Sequence, residues 1–204
     1  MLKNSQNNET PLKVISKEEI NKLPVLSYTG EIVVVSTAED AENSAMEMMQ
    51  ERIFGFDTET KPVFVSGKSN NIALIQIAGE KKVWIFLIQH FTIGTQFRTF
   101  LEDERFLKIG VAIGDDVKKL RRSTGITARG MFELAHLSKK VGLLESGLRT
   151  LTAKVFDYKL SKRQQTSNWE SNPLSEAQII YAATDAWICR KLYFEMMNVQ
   201  KKME

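Results

Sequence analysis

Short apolar runs alternate with amphipathic stretches along most of the chain. Runs of aliphatic and aromatic residues predict five strands, over residues 32–35, 53–58, 71–78, 83–88 and 107–113. Apolar residues at helical spacing predict helices over residues 38–51, around 97–101, over 115–123, and from the Ser175/Gln178 capping box to about Met197. The predicted strands come first and are separated by hairpin-length gaps. Strands and helices then alternate, and the last third of the chain is helical. This order indicates an α/β fold in which a mixed β-sheet is flanked by α-helices.

The same pattern divides the chain unevenly. Residues 1 to about 16 are polar and predict a flexible lead-in, and residues 17–23 predict one short helix that Pro24 closes. No linker, repeat or low-complexity tract follows. We therefore expect a flexible N-terminal segment with a short helix over residues 1–24 and a single domain over residues 25–204. A chain of 204 residues is long enough to bury a core without disulfides or metal staples.

Composition narrows the chemistry that is available. Cys189 is the only cysteine, which excludes an internal disulfide and a multi-cysteine metal site and fits a reducing compartment. Two histidines, His90 and His136, are too few for a three-histidine zinc centre. The longest apolar run, residues 83–88, is far shorter than the roughly 20 residues of a membrane-spanning helix, and no apolar signal core is present. We expect a cytoplasmic protein without membrane contact, whose net charge of +3 permits a nucleic-acid partner without requiring one.

Three acidic positions in this frame resist a structural explanation. The first is Asp57-Thr58-Glu59, where residues two apart share one face of a predicted strand. Asp57 and Glu59 therefore point the same way and continue the line of Ile53 and Gly55. Two carboxylates on one face of an apolar strand repel each other and lose hydration. The alternative is a strand that frays into a polar loop.

The second position is the pair Asp115-Asp116 at the start of a predicted helix. An acidic residue there is stabilised by the helix dipole and can cap free N–H groups, which explains one aspartate but not both. Helical spacing places Asp115 over Lys119 on a charged face and Asp116 over Leu120 on an apolar face. We assign Asp115 as the cap and Asp116 as the functional acid.

The third position is Asp185 in the C-terminal helix. Tyr181, Asp185, Ile188 and Leu192 form one stripe, and the neighbouring alanines are small enough for another backbone to approach closely. An acidic residue inside an apolar stripe is rarely tolerated without a partner. The structural alternative is an ion pair with a basic residue such as Arg190.

Together these positions supply four inward-facing carboxylates, Asp57, Glu59, Asp116 and Asp185, and one tyrosine, Tyr181. At neutral pH such a group of acids is compatible with folding only if cations neutralise it. All-oxygen ligands select hard ions such as Mg²⁺ or Mn²⁺ rather than zinc. Two such ions about 4 Å apart form the clamp used for in-line attack on a phosphodiester.

The order and spacing of these motifs resemble a known family. Three segments are similar to the motifs of the DEDDy-type 3′–5′ exonucleases of the ribonuclease-H-like superfamily: DTE at 57–59, GVAIGDDVKKL at 110–120 and YAATDA at 181–186. Relatives in that family include ribonuclease D and the exonuclease domain of the Werner syndrome helicase, and the stretch around Asp116 is most similar to the Werner-type branch. The resemblance covers roughly residues 30–195.

The resemblance implies a role for each of these residues. Asp57 would bridge two metal ions, and Glu59 and Asp185 would hold the ion that binds the attacking water. Asp116 would support the second ion, largely through water. Tyr181 would orient the nucleophilic water. The implied reaction is metal-dependent hydrolysis at 3′ ends that releases nucleoside 5′-monophosphates.

Candidate substrate contacts lie within or beside the motifs. Thr58 lies inside the first motif, and Arg149 and Lys162 lie close before the third motif in sequence. A nuclease needs such cationic phosphate contacts, although charged runs are usually solvated helix faces. Trp169 either stacks a base or anchors its loop, and we favour anchoring.

A second, weaker pattern is GKS at residues 67–69, which is similar to the end of a phosphate-binding P-loop. The P-loop pattern requires glycine where this chain has Pro62, so we predict an ordinary loop.

The expected function is therefore that of a metal-dependent 3′–5′ exonuclease, with DNA slightly favoured as substrate. The alternatives are RNA 3′ trimming of the ribonuclease D kind and a catalytically silent nucleic-acid-binding module of the same fold. The complete acidic set argues against a silent module, because an idle site would gain stability by losing those charges. The expected partner is the 3′ end of DNA or RNA. A separate helicase or polymerase chain is a further candidate partner, since these 204 residues contain no such segment.

Overall fold

A computed structural model describes residues 15–63 and 70–204. The predicted lead-in up to residue 14 and the predicted loop at 67–69 lie outside the described residues. The helices are α1 (Lys17–Lys22), α2 (Ala38–Met48), α3 (Thr95–Glu102), α4 (Gly114–Thr124), α5 (Leu134–Lys140), α6 (Leu148–Phe156) and α7 (Glu176–Met203). The strands are β1 (Val25–Leu26), β2 (Glu31–Val35), β3 (Ile53–Thr60), β4 (Ile72–Ala78), β5 (Lys82–Phe86), β6 (Leu107–Gly110), β7 (Met131–Glu133) and β8 (Lys159–Leu160).

Six strands form one mixed sheet in the order β2-β5-β4-β3-β6-β7. Strand β4 runs antiparallel to both of its neighbours, whereas the other neighbouring pairs are parallel. A short connection therefore joins the antiparallel strands β4 and β5, and α4 lies in the crossover between the parallel strands β6 and β7. The predicted mixed sheet flanked by helices is confirmed.

Each face of the sheet is covered by helices. Apolar residues of α2 and α3 pack on one face, around Phe54 and Phe56 of β3. Helix α7 covers the other face with small residues, Ala182, Ala183 and Ala186, and α5 and α6 pack beside it. Successive side chains of β3 point to opposite faces of the sheet. Phe54 and Phe56 therefore point toward α2 and α3, whereas Gly55 faces α7.

The ends of the helices follow local sequence signals. Ser175 and Gln178 form the predicted capping box at the start of α7, and α7 continues six residues past the predicted end, to Met203. Gly125 adopts a left-handed conformation (φ 73°) and ends α4 at Thr124, one residue past the predicted end. In the described part of the chain, no helix is long and apolar enough to cross a membrane.

Two features of the chain path differ from the sequence prediction. The strand predicted over residues 107–113 ends at Gly110, because Ala112 adopts a left-handed backbone conformation (φ 56°) that breaks the extended chain. The short parallel pair β1–β8 was not predicted, since two-residue strands carry no periodicity. This pair joins the segment after α1 to the segment that precedes α7.

The closest approach between β3 and α7 occurs at Gly55. A Cβ atom at this position would overlap the carbonyl oxygen of Ala186 and crowd the backbone of Arg190. Glycine at position 55 and alanine at position 186 therefore allow the backbone of α7 to lie directly against the strand.

Substitution of Gly55 should accordingly destabilise the fold. We expect Gly55→Ala to lower the free energy of unfolding by about 3 kcal/mol, because the added methyl group forces α7 away from β3. Gly114→Ala is the matched control. A Cβ at Gly114 has no atom within 4 Å, so this helical substitution should leave stability unchanged or slightly raised. Urea denaturation measures the free energy of unfolding of both variants. Equal values for Gly55→Ala and Gly114→Ala would contradict the close approach of β3 and α7.

Candidate active site

Three carboxylates converge where β3 meets α7. Asp57 and Glu59 lie on the face of β3 that continues from Gly55 toward α7, as their two-residue spacing predicted. Asp185 lies on α7 next to Ala186. One carboxylate oxygen from each of the three residues lies within 4.8 Å of the other two. We call these three residues the acidic cluster.

Asp116 approaches the acidic cluster from α4. Its charge contributes to the raised pKa values of both Asp57 and Glu59, which shows that it faces them. Asp115 instead is exposed and pairs with Lys118 at 3.0 Å. The prediction that Asp115 caps α4 is wrong, because α4 already begins at Gly114 and has no side-chain cap.

Glu133 holds the loop that leads into α4, and sequence reasoning missed it. Its Oε2 accepts the backbone N–H of Ile113 at 3.1 Å, and its Oε1 accepts the N–H of Ala135 at the start of α5. Glu133 therefore ties the turn at Ala112 to the next helix, and α4 starts from a defined position. A lone Glu in a short strand carries no sequence signal for this contact.

Burial and mutual repulsion make the acidic cluster costly to ionise. Burial, reinforced by the charges of Asp185 and Asp116, raises the pKa of Asp57 well above its usual range. Burial and the neighbouring carboxylates raise the pKa of Glu59 to about 10, and burial raises the pKa of Asp185 to about 7. The pKa of Asp116 is raised as well, chiefly by burial.

Basic residues near the acidic cluster do not neutralise it. Arg149 and Lys119 lie close enough to lower the pKa values of Asp185 and Glu59, respectively, but neither effect prevents the net increase. The alternative ion pair between Asp185 and Arg190 is not formed, because Arg190 donates to the carbonyl of Ile53 at 3.0 Å. Among the described residues, no lysine or arginine forms a salt bridge with the three clustered carboxylates.

Tyr181 lies one helical turn before Asp185 on α7. Its hydroxyl lies beside the Asp185 carboxylate and stabilises the charged form of that group, while burial raises the pKa of the tyrosine itself. The ring packs against Trp169 with 5.8 Å between ring centroids. Trp169 is 1% exposed, so it anchors the loop before α7, and the alternative that it stacks a base is wrong.

The other candidate substrate contacts are placed differently. Arg149 and Lys162 line a cleft of about 660 Å³ beside Tyr181 and Asp185. Thr58 is buried between Asp57 and Glu59 on β3, and its hydroxyl lies close enough to Asp116 to lower the pKa of that carboxyl. Because alternate residues of a strand point to opposite faces, its side chain points away from the face of Asp57 and Glu59, and its part in substrate binding stays a prediction.

The donor set of the acidic cluster fits a divalent cation. All the converging atoms are carboxylate oxygens, which are the ligands that hard cations such as Mg²⁺ and Mn²⁺ prefer. A bound cation would also relieve the repulsion that raises the pKa values in the cluster.

Comparison with known proteins agrees with this geometry. A family model described as a 3′–5′ exonuclease matches residues 32–201, which includes all three motifs. The chain belongs to the 3′–5′ exonuclease family. The exonuclease is of the DEDDy type, and its family uses divalent metal ions and acts on nucleic acid.

Relatives of this exonuclease are found in several contexts. The bifunctional 3′–5′ exonuclease/ATP-dependent helicase WRN of Mus musculus is 31% identical over 88% of this chain, which spans 14% of that protein. A 3′–5′ exonuclease of Arabidopsis thaliana is 28% identical, and the match covers 88% of this chain and 68% of the relative. The chain is thus similar to a small part of the first relative and to most of the second.

Solved structures confirm the fold of the exonuclease. The EXO domain of Nibbler from Aedes aegypti superposes with a TM-score of 0.76 at 19% identity, covering 85% of this chain and 90% of that domain. RNase D of Escherichia coli superposes with a TM-score of 0.75 at 17% identity, covering 84% of this chain and 46% of that protein. Both likenesses support the ribonuclease-H-like arrangement of sheet and helices.

The raised pKa values predict how the stability of the metal-free exonuclease depends on pH. Because the pKa values of Asp185 (about 7) and Glu59 (about 10) lie above their ordinary values, the folded protein binds more protons than the unfolded chain between about pH 4 and about pH 10. The free energy of unfolding should therefore fall as the pH rises through this window. Urea denaturation in the presence of chelator measures the trend.

Two variants and one ligand test the cause of this trend. Glu59→Gln should weaken the pH dependence, whereas Asp115→Asn should largely retain it, because Asp115 is exposed and lies outside the acidic cluster. Saturating Mg²⁺ should stabilise the protein most at high pH, where bound protons no longer compete with the ion. A free energy of unfolding that rises with pH in chelator would contradict the proposed repulsion.

Proposed function

We propose that this exonuclease removes nucleotides from 3′ ends by a two-metal mechanism with Mg²⁺ or Mn²⁺, releases nucleoside 5′-monophosphates and favours DNA slightly over RNA. The observation that carries the proposal is the convergence of carboxylates from β3 and α7 beside Tyr181, with Asp116 acting on them from α4. Divalent ions supply two things when bound: an acidified water and stabilisation of the charge that develops on the phosphate.

In this proposal each carboxylate holds metal. Asp57 would hold metal together with Asp185 and Asp116, since the charges of both neighbours act on it. Glu59 and Asp185 would hold the ion that binds the attacking water. Asp116 acts on the cluster from α4 and would support the second ion.

Tyr181 orients the attacking water in this mechanism. Its hydroxyl lies beside Asp185, and its raised pKa keeps it protonated, so it serves as a hydrogen-bonding group rather than as a base. The packing of its ring against the buried Trp169 holds it in place. Tyr181 therefore fixes the direction of the water while the metal supplies its acidity.

The cleft beside Tyr181 receives the substrate strand in this proposal. Arg149, Lys159, Lys162 and Arg163 line the cleft, which gives it a cationic rim next to the acidic cluster. Arg149 donates through Nε to the carbonyl of Leu160, so its orientation is set and its remaining N–H groups are available to a phosphate. A cationic rim attracts the nucleic-acid backbone irrespective of sequence.

The proposal also includes three features that were predicted from the sequence. The chain divides into a segment over residues 1–24 and a domain over residues 25–204. The protein is located in the cytoplasm, and a separate helicase or polymerase chain is its partner. RNA 3′ trimming and a silent nucleic-acid-binding module remain the alternatives.

A degradation assay tests the proposed function directly. With Mg²⁺ or Mn²⁺, the protein should convert 5′-labelled single strands into a ladder of shortened products, and excess chelator should abolish the reaction. Asp116→Asn should reduce turnover by roughly 100-fold or more, since even outer partners of a metal site cost 10- to 100-fold. The neighbouring Asp115→Asn should retain full activity, because its side chain faces solvent.

The outcomes of this assay separate the alternatives. Equal cleavage of a strand with a blocked 3′ end would indicate an endonuclease, and full activity in chelator would contradict the metal mechanism. Matched DNA and RNA strands determine the substrate class, since the distinction rests on contacts to the 2′-hydroxyl. Binding of strands without any cleavage would indicate the silent module. Loss of activity in Asp115→Asn and not in Asp116→Asn would reverse the assignment.

Tyr181→Phe tests the orientation of the water. The ring and its packing on Trp169 remain, so the free energy of unfolding should fall by about 1 kcal/mol at most. Metal affinity should persist because all four carboxylates remain. Turnover should fall by roughly 10² to 10⁴ if the positioning effect is typical of assisted proton transfer. Steady-state kinetics beside a calorimetric Mn²⁺ titration measure both quantities, and near-normal turnover would show that Tyr181 is only a packing residue.

A further inference from the structure

Gln76 is a buried amide at the centre of the sheet. It is the only polar residue of β4, whose other residues are isoleucine, leucine and alanine. Its side chain is 0% exposed. Neither Nε2 nor Oε1 has a hydrogen-bond partner among the described residues. An amide in this position therefore lacks the pairing that buried polar groups almost always have.

An unpaired amide is an unfavourable choice for the stability of this strand. An apolar side chain of similar size would remove the cost of burying two unpaired polar atoms. The surroundings supply no structural reason for an amide, because Ile85 lies opposite on β5 and the alanines of α7 cover this face. The residue therefore points to a role that the packing does not explain.

The strand register places Gln76 directly opposite Asp57. The two residues are partners in the antiparallel β3–β4 pair. Side chains of opposite residues lie on the same face of a sheet, with Cβ atoms about 4.5–5.5 Å apart. Leu74 and Ala78, two residues to either side of Gln76, pack with the alanines of α7, so this is the face that carries the acidic cluster.

We propose that Gln76 is a positioning residue, whose Nε2 donates a hydrogen bond to the Asp57 carboxylate when Asp57 binds metal. The inference rests on the proposed function, in which Asp57 would hold metal. A rotation of the terminal amide by 180° exchanges Nε2 and Oε1, so the amide can turn its donor toward Asp57 without a change of the rest of the side chain. The hydrogen bond fixes the orientation of the carboxylate and leaves its other lone pairs for the ions.

An amide suits this task better than a charged group. A lysine opposite Asp57 would compete with the metal ions for the carboxylate, and an acidic residue would add to the repulsion within the cluster. Glutamine donates a hydrogen bond without changing the net charge. The chemistry of the residue thus matches a carboxylate that must remain free to bind cations.

Replacement of Gln76 by an apolar residue of similar size separates positioning from packing. We expect Gln76→Met to raise the Kd for Mn²⁺ by about 10- to 100-fold in calorimetric titration, as loss of an outer partner of a metal site typically does. Turnover should fall while the KM for the strand stays unchanged. The midpoint of urea denaturation in chelator should stay the same or rise. Ile77→Val, a substitution of the next residue on the opposite face, is the control and should leave Mn²⁺ affinity unchanged.

A measurement on the unmodified protein covers the case in which Gln76→Met does not fold. In ¹⁵N-labelled protein, the side-chain amide signal of Gln76 should shift, and its hydrogen exchange should slow, on addition of saturating Mg²⁺. An unchanged signal, or Gln76→Met with normal Mn²⁺ affinity and turnover, would overturn the inference. Failure of the unmodified protein to bind Mn²⁺ or Mg²⁺ would instead overturn the proposed function itself.

Discussion

The direct contact between the backbones of β3 and α7 is the constraint on which the active site depends. Gly55 has no side chain, so the strand meets the carbonyl of Ala186 without an intervening layer. Asp57 lies two residues beyond Gly55 on the same face, and Asp185 immediately precedes Ala186. The contact therefore brings carboxylates from two distant segments close enough to bind the same metal ion. A larger residue at position 55 would separate them.

This proximity stores electrostatic repulsion in the folded protein. Asp57, Glu59 and Asp185 are buried or half-buried. Burial, together with the neighbouring carboxylates at Asp57 and Glu59, makes their charged forms unfavourable and raises the three pKa values. Several buried side-chain atoms without a partner lie around the same point, on Thr58, Gln76 and Trp169. Proteins depart from the rules of stable packing mainly where function requires it, and here the departures surround the acidic cluster.

Sequence reasoning worked where periodicity or helical geometry decides the outcome. The five main strands follow from apolar runs, and the shared face of Asp57 and Glu59 follows from the two-residue repeat of a strand. Helical spacing placed Asp116, and not Asp115, toward the cluster. The prediction that Asp115 caps α4 was wrong because the helix begins at Gly114. A shift of one residue in the start of a helix is enough to move a side chain from the cap position to the exposed surface. The end of the strand at Gly110 depends on the conformation of Ala112, which no residue type there indicates.

The sequence by itself determined the fold class, the family and the set of acidic residues, because these depend on local periodicity and on the order of motifs along the chain. Only the tertiary structure decided which polar groups meet. Glu133 reaches the loop before α4, Gln76 lies opposite Asp57, Arg190 turns to Ile53 and away from Asp185, and Trp169 is buried beneath Tyr181. Most of these contacts join residues far apart in the chain, and all depend on strand register, loop geometry and the packing of α7. Those quantities arise from the whole fold, and no short segment specifies them.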